Sequence, residues 1–261
     1  EADHGQRLLE RTGRGVRLTD AGQTLLPHAR GLLAAAQRAR DEMRDLHASP
    51  IGRVTVGLPP RVALTLTAPL VQAFRERFPR AVITVQEGLS LHLREWLIAG
   101  RLDVALLFDP QASAQLSYET VLRESLLLVC ATTQAPLAAR VGLRALASYP
   151  LVLPSAPNAI RSLVDSALRP RGVALNVVAE VGAVQTVLPL VARGVACTIL
   201  PESAVALRPA DVALQWAAIG PPAIRNTLVL ATARARPATR LVRETAALLR
   251  TLDFRAHQGA A

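Results

Sequence analysis

Residues 19–48 read TDAGQTLLPHARGLLAAAQRARDEMRDLHA, and the rest of the chain is organised around them. The spacing predicts one long helix. Thr19 suits the N-cap, because its hydroxyl can accept a bond from an unpaired backbone N–H of the first turn. Leu25, Ala29, Leu32, Ala36, Ala39, Met43 and Leu46 recur at alternating steps of four and three. That rhythm is an a/d seam, whose natural partner is another helix. Pro50 and Gly52 end the run. An Arg-rich turn precedes the helix and a regular α/β pattern follows it. The helix is therefore read as a dimerising strut between a small basic module and a large binding module. The competing reading packs the seam on its own domain.

Upstream, Arg11-Thr12-Gly13-Arg14-Gly15-Val16-Arg17-Leu18 is a turn. Its glycines permit positive φ, and Val16 and Leu18 alternate with Arg17 as a short strand does. This is a wing-like hairpin with guanidinium groups at its tip. Arg11, Arg14 and Arg17 are candidates for phosphate or minor-groove contact; a merely solvated hairpin is the alternative. Gly13-Arg14-Gly15 is not a dinucleotide loop, since no apolar strand precedes it and the third glycine is absent.

The chain carries 30 Arg, no Lys and 20 Asp and Glu, a formal charge of +10. The excess does not mark a nucleic-acid footprint by itself. Residues 1–50 hold eight Arg against seven acids, so the surplus is spread over the body. Apolar content of 51% supports a real core. No apolar run approaches the roughly 18–20 residues of a membrane span, and the charged first residues do not resemble a signal peptide. Cys130 and Cys197 lie in apolar, strand-like runs and are expected to be buried free thiols in a reducing compartment, the cytoplasm.

From Arg53 the period changes. Strands are predicted at 54–58, 81–86, 102–108 and 125–131, with helices at 61–78 and 91–99. Leu64, Leu66, Leu70, Phe74 and Phe78 are the expected core positions of the first helix, and Pro59-Pro60 suits its first turn. The pattern then restarts, with strands at 149–154, 174–181, 195–200 and 226–233 and helices at 158–168, 183–192 and 238–254. Alternation of this kind means βαβ units on a partly parallel sheet. Its repetition suggests two lobes with a cleft between them.

Enzyme signatures are missing. There is no Gly-x-Ser-x-Gly elbow, no phosphate-loop lysine and no His-x-x-x-His pair. No catalytic residue, metal ligand or cofactor is expected. The body instead offers helix N-termini just after strand ends, where α/β proteins bind ligands and where free N–H groups favour an anion. These are Pro60-Arg61, Leu89-Ser90 and Ser155 with Asn158. Arg61 is the candidate for pairing with a carboxylate. Ser90, Ser155 and Asn158 could equally be plain caps.

The run from Leu9 through Gly22 resembles the wing and linker-helix start of LysR-type transcriptional regulators. The resemblance continues through Gly52–Gly57, Glu87-Gly88-Leu89-Ser90, Leu97–Ala105 and Val191-Ala192-Arg193-Gly194-Val195. Gly-Leu-Pro-Pro and Glu-Gly-Leu-Ser resemble the nitrogen-assimilation-type branch. The resemblance implies a DNA-binding transcription regulator of α/β class. Residues 1–18 would be the remnant of a winged helix-turn-helix and 19–50 the dimerisation helix. A two-lobed, periplasmic-binding-protein-like effector domain would follow, with lobe I at 51–130 plus 235–256 and lobe II at 131–234. It also implies a homodimer or homotetramer, promoter DNA as a partner of the complete protein, and a small, anionic effector between the lobes. Many members place Ser or Thr where this chain has Pro60 or Arg61. The helix-turn-helix would lie before Glu1, so these residues alone are expected to bind DNA weakly. A stand-alone solute-binding protein and a two-lobed enzyme are the rival readings.

Overall fold

The computed structural model describes residues 6–13, 15–45, 51–208, 212–235 and 237–254. It opens with the hairpin β1 (Leu9–Thr12) and β2 (Gly15–Leu18), paired antiparallel with Glu10 opposite Arg17. The long helix α1 (Asp20–Asp45) follows. Thr19 caps it, accepting from Gly22 N at 3.0 Å while its own hydroxyl donates to Arg7 O at 2.6 Å. Gly22 is required there: a Cβ would lie 2.0 Å from the Leu8 carbonyl oxygen, so only glycine lets helix and hairpin meet. Arg14 and Leu46 of the sequence reading lie outside the described residues.

The body continues with β3 (Gly52–Leu58), α2 (Pro60–Arg77), β4 (Ala81–Glu87), α3 (Ser90–Ile98), β5 (Val104–Phe108) and the 16-residue β6 (Leu116–Ala131). Then come β7 (Arg140–Val141), β8 (Pro150–Leu153), α4 (Ala159–Leu168), β9 (Asn176–Glu180), α5 (Val184–Ala192) and β10 (Cys197–Pro201). The short α6 (Glu202–Val205), β11 (Leu214–Ile219), β12 (Arg225–Ala233) and α7 (Arg240–Thr251) complete it. The main sheet runs β4-β3-β5-β12-β6-β10-β8-β9, with β11 joining β6 to β7.

Two lobes divide this sheet. In the first, β3, β4 and β5 are parallel and β12 runs antiparallel between β5 and β6. The inner strand β5 is buried on both faces, as a parallel strand between helices is, while β4 at the edge is partly exposed. Val104 and Leu106 face the cluster under α2 and α7, while Ala105 and Leu107 face α3. The second lobe has its own core, built from residues 126–224.

The changeover between lobes differs from the expectation. Residues 116–125 of β6 pair with β12 in the first lobe, whereas 126–131 pair with β10 and β11 in the second. The crossings therefore lie at Ser125–Leu126 and between β11 and β12, not near Ala131 and Ala233. Only the apolar end, 125–131, reads as a strand in the sequence, because residues 117–125 are mostly polar and do not alternate. Leu64, expected in the core, is 53% exposed, since α2 turns that face outward. Leu66, Leu70, Phe74 and Phe78 are buried.

The Leu97–Ala105 motif has a mechanical basis. Gly100, at φ 71°, ends α3 in a left-handed conformation that glycine adopts without steric cost. Leu102 enters the core, and the Asp103 carboxylate accepts from Thr55 N at 2.8 Å while Asp103 N donates to Thr55 O at 2.9 Å. Gly194, also at φ 71°, ends α5 in the same way in the second lobe.

The cysteines are not free. Cys130 and Cys197 face each other across antiparallel β6 and β10, Cα–Cα 4.4 Å, and form a disulfide. Their separation of 67 residues in the sequence concealed the pairing. Closing a loop of that size removes unfolded-state entropy worth roughly 4 kcal/mol in the chain-entropy account. The double substitution of Cys130 and Cys197 by Ser is expected to lower the urea-unfolding free energy by about that amount. Thiol titration of the unreduced, denatured chain checks the premise and is expected to find no free thiol among the two.

Candidate functional site

The parallel strands of both lobes point their C-terminal ends at a shared cleft. β3 leads into α2, β4 into α3, β8 into α4 and β9 into α5, so four helix N-termini converge there. Ligands of α/β sheets bind at this kind of edge. The first lobe contributes Pro59, Pro60, Arg61, Leu89, Ser90 and Phe108. The second contributes Pro154, Asn158, Ala159, Ile160, Val181–Val184, Gln185, Val187, Thr198 and Leu200. About 90 Å³ of the cavity is open to the centres of water-sized molecules, enough for a handful of waters or a small organic molecule.

Of the expected effector residues, Pro60, Arg61, Leu89, Ser90 and Asn158 line the cavity. Ser155 does not; it is exposed outside the lining. Asn158 caps α4, its side chain accepting from Ile160 N at 2.9 Å. Ser90 is not a cap. Leu89 holds that place in α3, and Ser90 Oγ accepts from Phe108 N at 2.8 Å, tying α3 to β5. Phe108, Thr198 and Gln185 were not anticipated. The first two sit inside apolar strand runs and looked like plain core.

Arg61 departs furthest from expectation. Its Nη1 lies 3.2 Å from Glu124 Oε1, and the two side chains are only 11% and 4% exposed. Nη1 also donates to Ser203 Oγ, and the guanidinium carbon stands 4.4 Å from the Phe108 ring centroid. The other Glu124 oxygen accepts from Ser203 N at 2.9 Å. One carboxylate at the end of the first lobe thus holds α2 on one side and α6 of the second lobe on the other. Burial pushes the Arg61 guanidinium below its ordinary value, and Glu124 opposes that shift. The Arg61 charge is thus already matched by Glu124 in this structure.

Asn226, at the start of β12 and 1% exposed, extends the network. With the amide oriented by its surroundings, its nitrogen donates to Asp109 Oδ2 at 2.6 Å and its oxygen accepts from Arg61 Nη2 at 3.1 Å. Asp109 accepts from Thr227 N at 3.1 Å and adopts φ 42°, a left-handed conformation that Asp tolerates better than most residues. Burial pushes its carboxyl up to about 6, opposed by the Thr227 bonds and reinforced by Glu124.

Comparison with known proteins fits this geometry. A family model, the LysR substrate binding domain, matches residues 47–253. The nitrogen assimilation regulatory protein nac of Escherichia coli (strain K12) is 37% identical over 205 residues, covering 78% of this chain and 67% of that protein. Among solved structures, the C-terminal domain of a probable LysR family transcriptional regulator from Rhodococcus sp. RHA1 superposes with a TM-score of 0.67 at 24% identity, covering 76% of this chain and 98% of that one. Full-length CbnR complexed with its target DNA gives a TM-score of 0.61 at 24% identity, over 94% of this chain and 86% of that one. At these identities the solved structures bear on the fold alone.

The raised carboxyl of Asp109 has a signed consequence. Between about pH 4 and pH 6 the folded chain binds more protons at this site than the unfolded chain, so its contribution to stability falls as pH rises through that window. Asp109→Asn removes the titration and keeps a side chain suited to positive φ. Thermal unfolding is expected to show the variant gaining on the parent from pH 4 to pH 7, by about 1 kcal/mol once solvent screening of a half-buried carboxyl is allowed for.

Proposed function

Because the chain belongs to the LysR family of transcription regulators, with the substrate-binding domain spanning residues 47–253, we propose that its interlobe cavity is the effector site and that α1 pairs two copies of the chain. The observation that carries the first part is the convergence of α2, α3, α4 and α5 from both lobes on one cavity. A ligand there touches both lobes at once, so it binds one interlobe arrangement better than another and shifts the balance between them. The relatives over this region are transcription regulators, which favours a regulator over an enzyme and sets aside the stand-alone solute-binding reading.

The pairing role of α1 rests on Leu32 and Leu33, each 73% exposed on the helix. Leu25 and Ala29 are half-buried and Ala36 is exposed; the side chains of Ala39 and Met43 lie outside the described residues. Large apolar side chains left open along one helix are what a second helix covers. Exposed Arg11 and Arg17 stand on the two strands of the hairpin, where they would reach the DNA backbone beside the reading helix of the complete regulator. Among the described residues no helix is long and apolar enough to cross a membrane. The Cys130–Cys197 disulfide removes the free-thiol argument for the cytoplasm, and we assign the regulator there, with promoter DNA, because its relatives are transcription regulators. The anion expected in the cleft is not retained, since Glu124 already balances Arg61.

Two measurements test this. Leu32→Asp with Leu33→Asp is expected to shift sedimentation from dimer or tetramer towards monomer; a parent chain that is monomeric at micromolar concentration refutes the strut. Gly182 lines the cavity, and a Cβ there meets nothing within 4 Å. Gly182→Leu is therefore expected to fold normally and to abolish ligand-induced thermal stabilisation, which reaches about 2.7 kcal/mol in the parent at 100 times Kd.

A further inference from the structure

Resting on the reading of this cavity as the effector site, we infer that its ligand is an uncharged, largely apolar small molecule with one carbonyl or hydroxyl end. Most of the lining is apolar: Pro59, Leu89, Phe108, Ile160 and Val184 are representative. The acceptor oxygens of the polar side chains are taken, and their donors remain. Ser90 Oγ accepts from Phe108 N and Asn158 Oδ1 from Ile160 N, which leaves the Ser90 O–H and the Asn158 amide N–H groups to meet an acceptor on a ligand; the Thr198 hydroxyl, fully buried, donates to Val152 O at 2.7 Å. Gln185 is exposed at the rim and free to offer its amide.

Charge decides the class. Arg61 is the one ionised side chain in the lining, and its guanidinium is held by Glu124, Ser203 and Asn226. A ligand carboxylate that drew Arg61 away would strand Glu124, 4% exposed, without its counter-charge. A carboxylate that joined the pair instead would place two negative charges on one cation at low dielectric. The first-turn N–H groups of α2, α3 and α5 carry no side-chain cap. They attract an anion too, but that pull is smaller than the cost of uncoupling or crowding the buried Arg61–Glu124 pair, and a neutral carbonyl or hydroxyl oxygen accepts from them without that cost. The apolar lining favours burial of the rest of the ligand.

Shape-matched pairs separate charge from size. Isothermal titration of the 261-residue chain with benzamide against benzoate, and hexanamide against hexanoate, is expected to give at least tenfold tighter binding of each amide. Glu124→Gln leaves Arg61 without its counter-charge and is expected to narrow or reverse that ratio. Gly182→Leu is expected to abolish binding of both members. A carboxylate that binds more tightly to the parent, with the signal lost in Gly182→Leu, overturns the uncharged class and leaves the effector-site reading standing. Binding that survives Gly182→Leu, or no binding of either pair, overturns the effector-site reading itself. If Glu124→Gln fails to fold, the ratio in the parent chain decides.

Discussion

A single buried carboxylate, Glu124, is the constraint on which the arrangement of the two lobes depends. It sits where β6 leaves the first lobe, pairs with Arg61 at the start of α2, and accepts from the backbone of Ser203 in the second lobe. Arg61 returns the contact through the Ser203 hydroxyl and stacks over Phe108. Asn226 brings in the other crossing strand. Charges this deep are tolerated because each has its counter-charge and its hydrogen bonds; removing one member alone would leave the other ionised in an apolar surround. The network therefore specifies where the lobes meet more than it adds to net stability.

Around that junction the rest of the fold is a device for presenting helix starts. Each lobe supplies parallel strands whose C-terminal ends face the cleft, and β3, β4, β8 and β9 hand the chain to a helix there. The glycines at 100 and 194 end α3 and α5 with the same left-handed cap, so the chain re-enters the sheet promptly in both lobes. Asp103 then locks its loop to β3. The wall that results is apolar, with backbone N–H groups at its edges. Among its described lining residues the one strong cation, Arg61, is paired with Glu124.

Much of this was legible in the sequence. Strand and helix alternation follows from local periodicity, and Pro60, Arg61, Leu89, Ser90 and Asn158 could be placed at the cleft because each follows a strand end. What was not legible depends on distance along the chain. Glu124 lies 63 residues from Arg61 and 79 from Ser203, so nothing local marks them as partners. Arg61 alone looked like an empty receptor for this reason. Cys130 and Cys197 escaped for the same reason, each hidden in a run of apolar strand residues. Phe108 and Thr198 look like core because they are core on one side; only the assembled cleft shows the other side. Ser155 failed differently: it is next to the site in sequence but the turn before α4 carries it outward.

The central position of β12 has an implication for synthesis. That strand lies between β5 and β6, yet it is made after the whole second lobe. On the ribosome, residues 126–224 can close their own core while the earlier segment still has an open slot in the middle of its sheet. The first lobe to begin is thus the last to finish, and an unfinished chain exposes two unpaired strand edges of the kind that invite wrong partners.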